Sequence, residues 1–307
     1  MRREVSASAV RVAIMDIKET NHAWRTMLAD GDRVGVEQLL RHDTRLALLG
    51  HEWSGSLQTA ETAELRGLVL LGGDGGVPLA ADSPWRIPAS AGLADALEHI
   101  WAPVAGNCSG FLTALRAEVL GLALVAMEGR YLLGYLHLAD RAGELPRDLK
   151  DLAPYTGSNS LTVLWGTAPT HLGPTDVVPL MDEPLPVGVR DLAAVHASLT
   201  SFDFDLRLDH FTTTLGATTR ADYEGEDPAD YDPGEDFVRA VNGEFDRWIQ
   251  FCTCDSAAEA YFLDMDDRDP HDVPRVALSS INGTSEPPGE PFWDWIDQAL
   301  PSLLFCV

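Results

Sequence analysis

The stretch FDRWIQFCTCDSAAEAYFLDMDD, Phe245 to Asp267, decides how the C-terminal part of this chain is read. Its two cysteines and its closing run of acids raise the question of a metal site. Cys252 and Cys254 stand two apart, so on a strand both point to one face. Two thiols without further Cys or His at ligand spacing do not complete a tetrahedral zinc site. Asp264, Asp266, Asp267, Asp269 and Asp272 offer oxygen to calcium, but the run lacks the sixth-position glycine and closing glutamate of an EF-hand loop. The reading that remains is a β-hairpin, with FDRWIQFCT (Phe245 to Thr253) and EAYFLD (Glu259 to Asp264) as strands and the aspartates on its rim. No metal and no cofactor are expected.

Outward from this hairpin, VPRVAL (Val273 to Leu278) adds a third strand after a polar turn, which is a meander pattern. PFWDWIDQALPSLL then places Phe292, Trp295, Ile296, Ala299 and Leu300 on one helical face. Strands followed by a covering helix predict an α+β layer in which Phe251, Phe262, Leu263, Trp295 and Ile296 are buried together. Upstream, LPVGVRDLAAVHASL (Leu185 to Leu199) reads as a helix with Pro186 in its first turn and Val189, Leu192, Val195, His196 and Leu199 along one side. His196 is therefore expected to be buried and hydrogen-bonded rather than a ligand or base. Between this helix and the hairpin lies ADYEGEDPADYDPGED, Ala221 to Asp236, with eight acids, two tyrosines and no base. It reads first as a solvated loop and second as a binding surface.

Prolines at 169, 174, 179 and 184, in a stretch with no helical period, put a boundary near residue 181. The chain then divides into 1–181 and 182–307. The first part reads as a second, α/β-type domain of unspecified fold. ELRGLVLLGG, RYLLGYLHL and SLTVLWG are its strands, and helices are expected near Leu93 to Trp101 and from Ser109 to Ala126, where Leu112, Leu115, Val119, Leu122 and Ala126 keep a helical period. DGDRVGVEQLLRHDTRLALLG, residues 30–50, is similar to one ankyrin-type helical unit, but no second copy follows at the required period. GGDGG lacks the residues of a phosphate cradle and reads as a turn.

Charge separates the two parts. The formal net charge is −26, and residues 182–307 hold 27 acids against seven bases, leaving 21 against 15 in residues 1–181. Such a field repels phosphate backbones and anionic membranes and attracts basic proteins. Nucleic acid and membrane are not expected as direct partners. The apolar run from Phe111 to Met127 contains Arg116 and Glu118 and is no spanning segment, and the N-terminal apolar stretch is broken by Arg11. Four cysteines without framework spacing fit a cytoplasmic chain with reduced thiols. Only two lysines against twenty arginines points to a GC-rich coding sequence and a bacterial source.

LPVGVRDLAAVHASL, the hairpin from Phe245 to Asp267 and FWDWIDQAL occur in an order that resembles the SUKH superfamily over residues 184–305. Its members include a yeast cell-wall-synthesis regulator and bacterial immunity proteins. The resemblance implies an antiparallel sheet with helices, a binding cleft and no enzymatic activity, in a protein that neutralises a partner toxin, often a nuclease. A strongly acidic chain suits a basic toxin cleft by charge complementarity. The expected contact residues are Asp222, Tyr223, Glu224, Glu226, Asp227, Asp230, Tyr231 and Asp232. The enzymatic alternative is a papain-like thiol hydrolase built on GNC at a helix start, with Cys108 as nucleophile, His137 as base and Asn159 as third member.

Overall fold

The computed structural model describes residues 64–70, 78–80, 82–127, 130–138, 161–173, 177–178, 183–201, 204–208, 211, 213–254, 259–280, 285–286 and 289–305. Residues 30–50, the GGDGG segment, Asn159, Pro174 and Pro179 lie outside them. The chain packs as two compact units, one of residues 1–96, 116–164 and 305–307, the other of residues 97–115 and 165–304. The second unit thus takes in residues 182–304 together with two segments that precede them.

In the first unit, β1 (Glu64–Leu70), β2 (Val119–Met127) and β3 (Arg130–Leu138) run antiparallel with β2 in the middle. The helices α1 (Leu93–Trp101) and α2 (Ser109–Glu118) precede β2 directly in sequence. The helix expected to reach Ala126 therefore ends eight residues earlier. Its second half, VLGLALVAM, is a strand buried on both faces, with Leu122, Ala123 and Leu124 all inaccessible to solvent. A doubly buried strand is apolar at every position, so a helical period can be picked out of it although pairing on both edges decides the matter.

The longer segment of the second unit starts within β4 (Leu161–Thr167), whose Trp165 and Gly166 pair with Thr200 and Leu199. A two-residue pair follows, β5 (Val177–Val178) with β6 (Glu183–Pro184), then α3 (Val187–Ala193), β7 (Ser198–Thr200) and β8 (Phe204–Arg207). Next come α4 (Leu215–Asp222), a single 3-10 turn at Pro228–Asp230 and α5 (Asp236–Val241). The meander β9 (Trp248–Cys254), β10 (Glu259–Arg268) and β11 (Pro274–Ser280), a short β12 (Ser285–Glu286) and α6 (Phe292–Phe305) close the unit. Strands β7 to β12 are neighbours in sequence order, each antiparallel to the next. The expected α+β architecture, an antiparallel meander with covering helices, is the one found.

Three local expectations change. Helix α3 stops at Ala193, so Val195 and His196 lie in a turn and Leu199 on β7. Ser198 instead bonds Thr167 of β4 through its hydroxyl and its N–H, and Thr200 donates to Asp205 of the next strand, so these polar side chains serve an extended backbone and not a helix. Second, the five residues expected in one cluster occupy both faces of the sheet. Phe251 and Tyr261 pack on Trp295 of α6 with ring centroids 5.1 and 5.0 Å away. Phe262 instead joins Leu215, Ala240, Phe245, Trp248 and Ala277 under α4 and α5. A bulge explains the split: the β9–β10 register slips between Tyr261 and Phe262, which leaves Phe251 as the extra residue beside Cys252. Third, Asp264 is no rim residue. It sits within β10 at 8% exposure and accepts the Trp248 indole N–H at 2.8 Å.

Helix α6 also anchors α2. Pro301, inside α6, has no N–H to return to the Asp297 carbonyl four residues back. That oxygen would lie 3.0 Å from a Cβ at Gly110, and the Asp297 carboxylate accepts the Phe111 N–H at 2.9 Å. One residue of α6 thereby caps the α2 N-terminus, and only glycine at position 110 admits the approach.

Candidate functional site

The acidic segment Ala221 to Asp236 is an ordered platform. Its entry is fixed by α4, where the Thr214 side chain accepts the Ala217 N–H at 3.2 Å. Gly225 takes φ +92°, a turn conformation that favours glycine. The Asp227 carboxylate caps the 3-10 turn by accepting the Ala229 N–H at 2.9 Å, and Glu235 accepts the Asp232 N–H at 3.1 Å. Underneath lies an aromatic triad. Phe237 is buried, Tyr223 stacks on it at 4.7 Å and 14°, and Tyr231 meets it edge-on at 5.1 Å. The two tyrosines meet each other edge-on at 5.6 Å. Tyr223 stays 37% exposed, and the Tyr231 hydroxyl donates to Glu226 at 3.5 Å. Desolvation against its neighbours, and next the Glu226 carboxylate, hold the Tyr231 phenol above its ordinary value, so it remains a neutral donor.

Asp222, Glu224, Glu226, Asp227, Asp230 and Asp232 surround these rings, all exposed, and none is in an ion pair among the described residues. All eight residues expected from the sequence as contacts are thus gathered on one continuous segment. Phe237, which fixes both tyrosines, was not singled out. Its signal was an aromatic directly after the last acid of the run, in DFVRAV. The far edge is closed by Arg239, which bonds Asp236 at 3.1 Å and Glu244 at 2.6 Å while its guanidinium lies 4.5 Å from the Phe245 ring centroid. The Arg239 hydrogen bond holds the Glu244 carboxyl below its usual range.

The aspartates at the end of β10 and in the turn after it are engaged differently. Asp264 accepts the N–H groups of Asp266 and Asp267 at 2.8 and 3.2 Å, and Asp269 accepts those of His271 and Val273. Arg247 bridges Glu183 at 2.7 Å and Asp266 at 2.5 Å, Arg268 bridges Glu183 and Asp272, and Arg275 reaches Asp267. These oxygens already serve guanidinium and backbone donors. Among the described residues, no group of three His, Cys, Asp or Glu is placed to hold a metal ion.

The three cysteines among the described residues are buried. Cys108 is fully buried, donates its S–H to the Val104 carbonyl at 3.3 Å, and is pushed up to about 12 by burial and then by the Asp297 charge. A nucleophile requires the opposite shift. His137 is buried on β3. Cys252 and Cys254 are buried free thiols, and burial, followed by the neighbouring Cys254, raises Cys252 well above its ordinary value. His196 is fully buried, and its Nδ1–H donates to the Thr167 carbonyl at 2.9 Å, as expected for a core histidine.

No family model matches the chain, and neither the curated proteins nor the solved structures yield a match. Among the described residues, no helix is long and apolar enough to cross a membrane.

Proposed function

We propose that the second unit is a protein-binding module of the SUKH kind, and that the chain neutralises a basic protein, of the nuclease-toxin class, through the platform of residues 222–232. The observation that carries this reading is the pairing of six carboxylates, outside any ion pair among the described residues, with two tyrosines packed on Phe237. Carboxylates steer a basic partner from a distance, and pre-ordered tyrosines supply contact area at low entropic cost. A bacterial cytoplasmic setting, beside the gene for the partner, is part of the proposal.

The test uses the product of the adjacent open reading frame. That product should arrest growth when expressed alone and not when this chain accompanies it. With the purified pair, replacing the six acids by Asn and Gln should slow association by about tenfold or more at low salt and flatten its salt dependence. An unchanged association rate removes the platform from the interface.

A further inference from the structure

We propose that the outer face of Tyr223 is an arginine-docking site: a guanidinium of the basic partner stacks on that ring and gives its N–H groups to the carboxylates beside it. The inference rests on the platform reading above and names the group of the partner that the platform takes. Phe237 covers one face of Tyr223, since the two rings stack at 4.7 Å and 14°. Tyr231 does not cover the other. It stands edge-on to both rings, 5.6 Å from Tyr223 and 5.1 Å from Phe237, and these distances put it beside the stack, not beyond it. Tyr223 stays 37% exposed and is, among the described residues, the one aromatic side chain with so much of its surface open.

The backbone returns a carboxylate to this ring. The Glu226 N–H donates to the Tyr223 carbonyl at 3.1 Å, closing a turn in which Gly225 takes φ +92°. One Glu226 oxygen accepts the Tyr231 hydroxyl at 3.5 Å, which leaves the second open to a ligand. Asp222 and Glu224 flank Tyr223 in sequence, both exposed and outside any ion pair among the described residues. An open aromatic face bordered by such carboxylates is complementary in charge and shape to a flat cation. Carboxylates alone draw arginine and lysine alike, and the ring is what discriminates. A guanidinium lies parallel to the ring while its edge N–H groups stay free to fork onto a carboxylate, and it sheds water more readily than an ammonium. A lysine offers a single, strongly hydrated point of charge and cannot fork.

The test titrates the full chain at low salt with hexa-arginine amide and with hexalysine amide, read by calorimetry. Hexa-arginine should bind about threefold tighter than hexalysine. Tyr223→Phe keeps the ring and should keep that preference, whereas Tyr223→Leu should abolish it and leave the charge-driven binding of both peptides. Equal affinities in wild type, or a preference that survives Tyr223→Leu, overturn the docking site while the platform still binds by charge. Failure of the platform reading itself looks different: replacing the six acids by Asn and Gln then leaves the affinity for both peptides unchanged, and that result overturns the site as well. Should Tyr223→Leu not fold, NMR of the wild-type complex decides. Nuclear Overhauser contacts between arginine Cδ protons and the Tyr223 ring uphold the site, and their absence with hexa-arginine bound overturns it.

Discussion

Asp264→Ala removes the one carboxylate on which the end of β10 hangs. Its Oδ2 accepts the Trp248 indole N–H at 2.8 Å, and its Oδ1 accepts the amides of Asp266 and Asp267. Trp248 is 4% exposed, so water does not replace the lost acceptor without entering the cluster formed with Phe245 and Phe262. A buried donor stranded in this way costs about 2 kcal/mol, and the two amides, on exposed residues that regain water, cost about 0.5 kcal/mol each. The expected loss is about 3 kcal/mol for Asp264→Ala and about half of that for Asp264→Asn, which keeps one acceptor oxygen. Urea unfolding followed by tryptophan fluorescence measures both, with the slope unchanged if only the native state is weakened. An alanine variant within about 0.5 kcal/mol of wild type, or an asparagine variant as weak as alanine, refutes the assignment of these bonds as the anchor.

Gly110→Ala should destabilise by about 1–3 kcal/mol despite the better helix propensity of alanine, because the new Cβ would stand 2.9 Å from the Asp297 carboxylate and 3.0 Å from its carbonyl; thermal unfolding checks it. Cys108 should resist alkylation in the native chain at neutral and mildly alkaline pH, since its thiol stays protonated below about 12, and should react on unfolding. Rapid native labelling near pH 7, read by mass spectrometry, would return the thiol-hydrolase reading to contention. Phe237→Ala withdraws the ring on which both tyrosines rest and costs about 3 kcal/mol locally. Proteolytic nicking should then appear between residues 222 and 236 while the meander remains intact.

The meander was legible because its strands are apolar runs bounded by polar turns, as in Trp248 to Cys254. The β9–β10 bulge was not. Nothing in FDRWIQFCTC marks Phe251 as the extra residue, because Phe251 and Cys252 are both apolar enough for either face, and only the pairing with Tyr261 fixes which one slips. Asp264 misled for a related reason. An aspartate at the head of DMDD has the composition of a turn, while its partner, Trp248, stands sixteen residues away on the neighbouring strand. Partners at that distance carry no local sequence signal. The tyrosines and acids of the platform were readable as a candidate because charge without counter-charge is a property of composition. Their support on Phe237 required the fold.

Where the arginines go explains why the excess charge is concentrated. Residues 182–307 contain seven bases, and six of them form ion pairs: Arg207 with Asp205, Arg220 with Asp246, Arg239 with Asp236 and Glu244, and Arg247, Arg268 and Arg275 with Glu183, Asp266, Asp267 and Asp272. None reaches an acid between Asp222 and Glu235. At the rim of the meander four of the acids, Glu183, Asp266, Asp267 and Asp272, therefore face arginines, whereas among the described residues the segment that resembles a plain solvated loop has no such pairing. Self-repulsion within that segment is a standing cost to the folded chain. Replacing its six acids by amides should for this reason leave stability unchanged or raise it slightly, by less than about 1 kcal/mol at low salt, with the gain fading as salt screens the field. Amide replacement of Glu183, Asp266 and Asp272, the three rim acids that face Arg247 and Arg268, should instead destabilise. Denaturant midpoints of the two charge variants at low and high salt separate the cases. Destabilisation by the platform replacements, or none by the rim replacements, would refute this division of the charge.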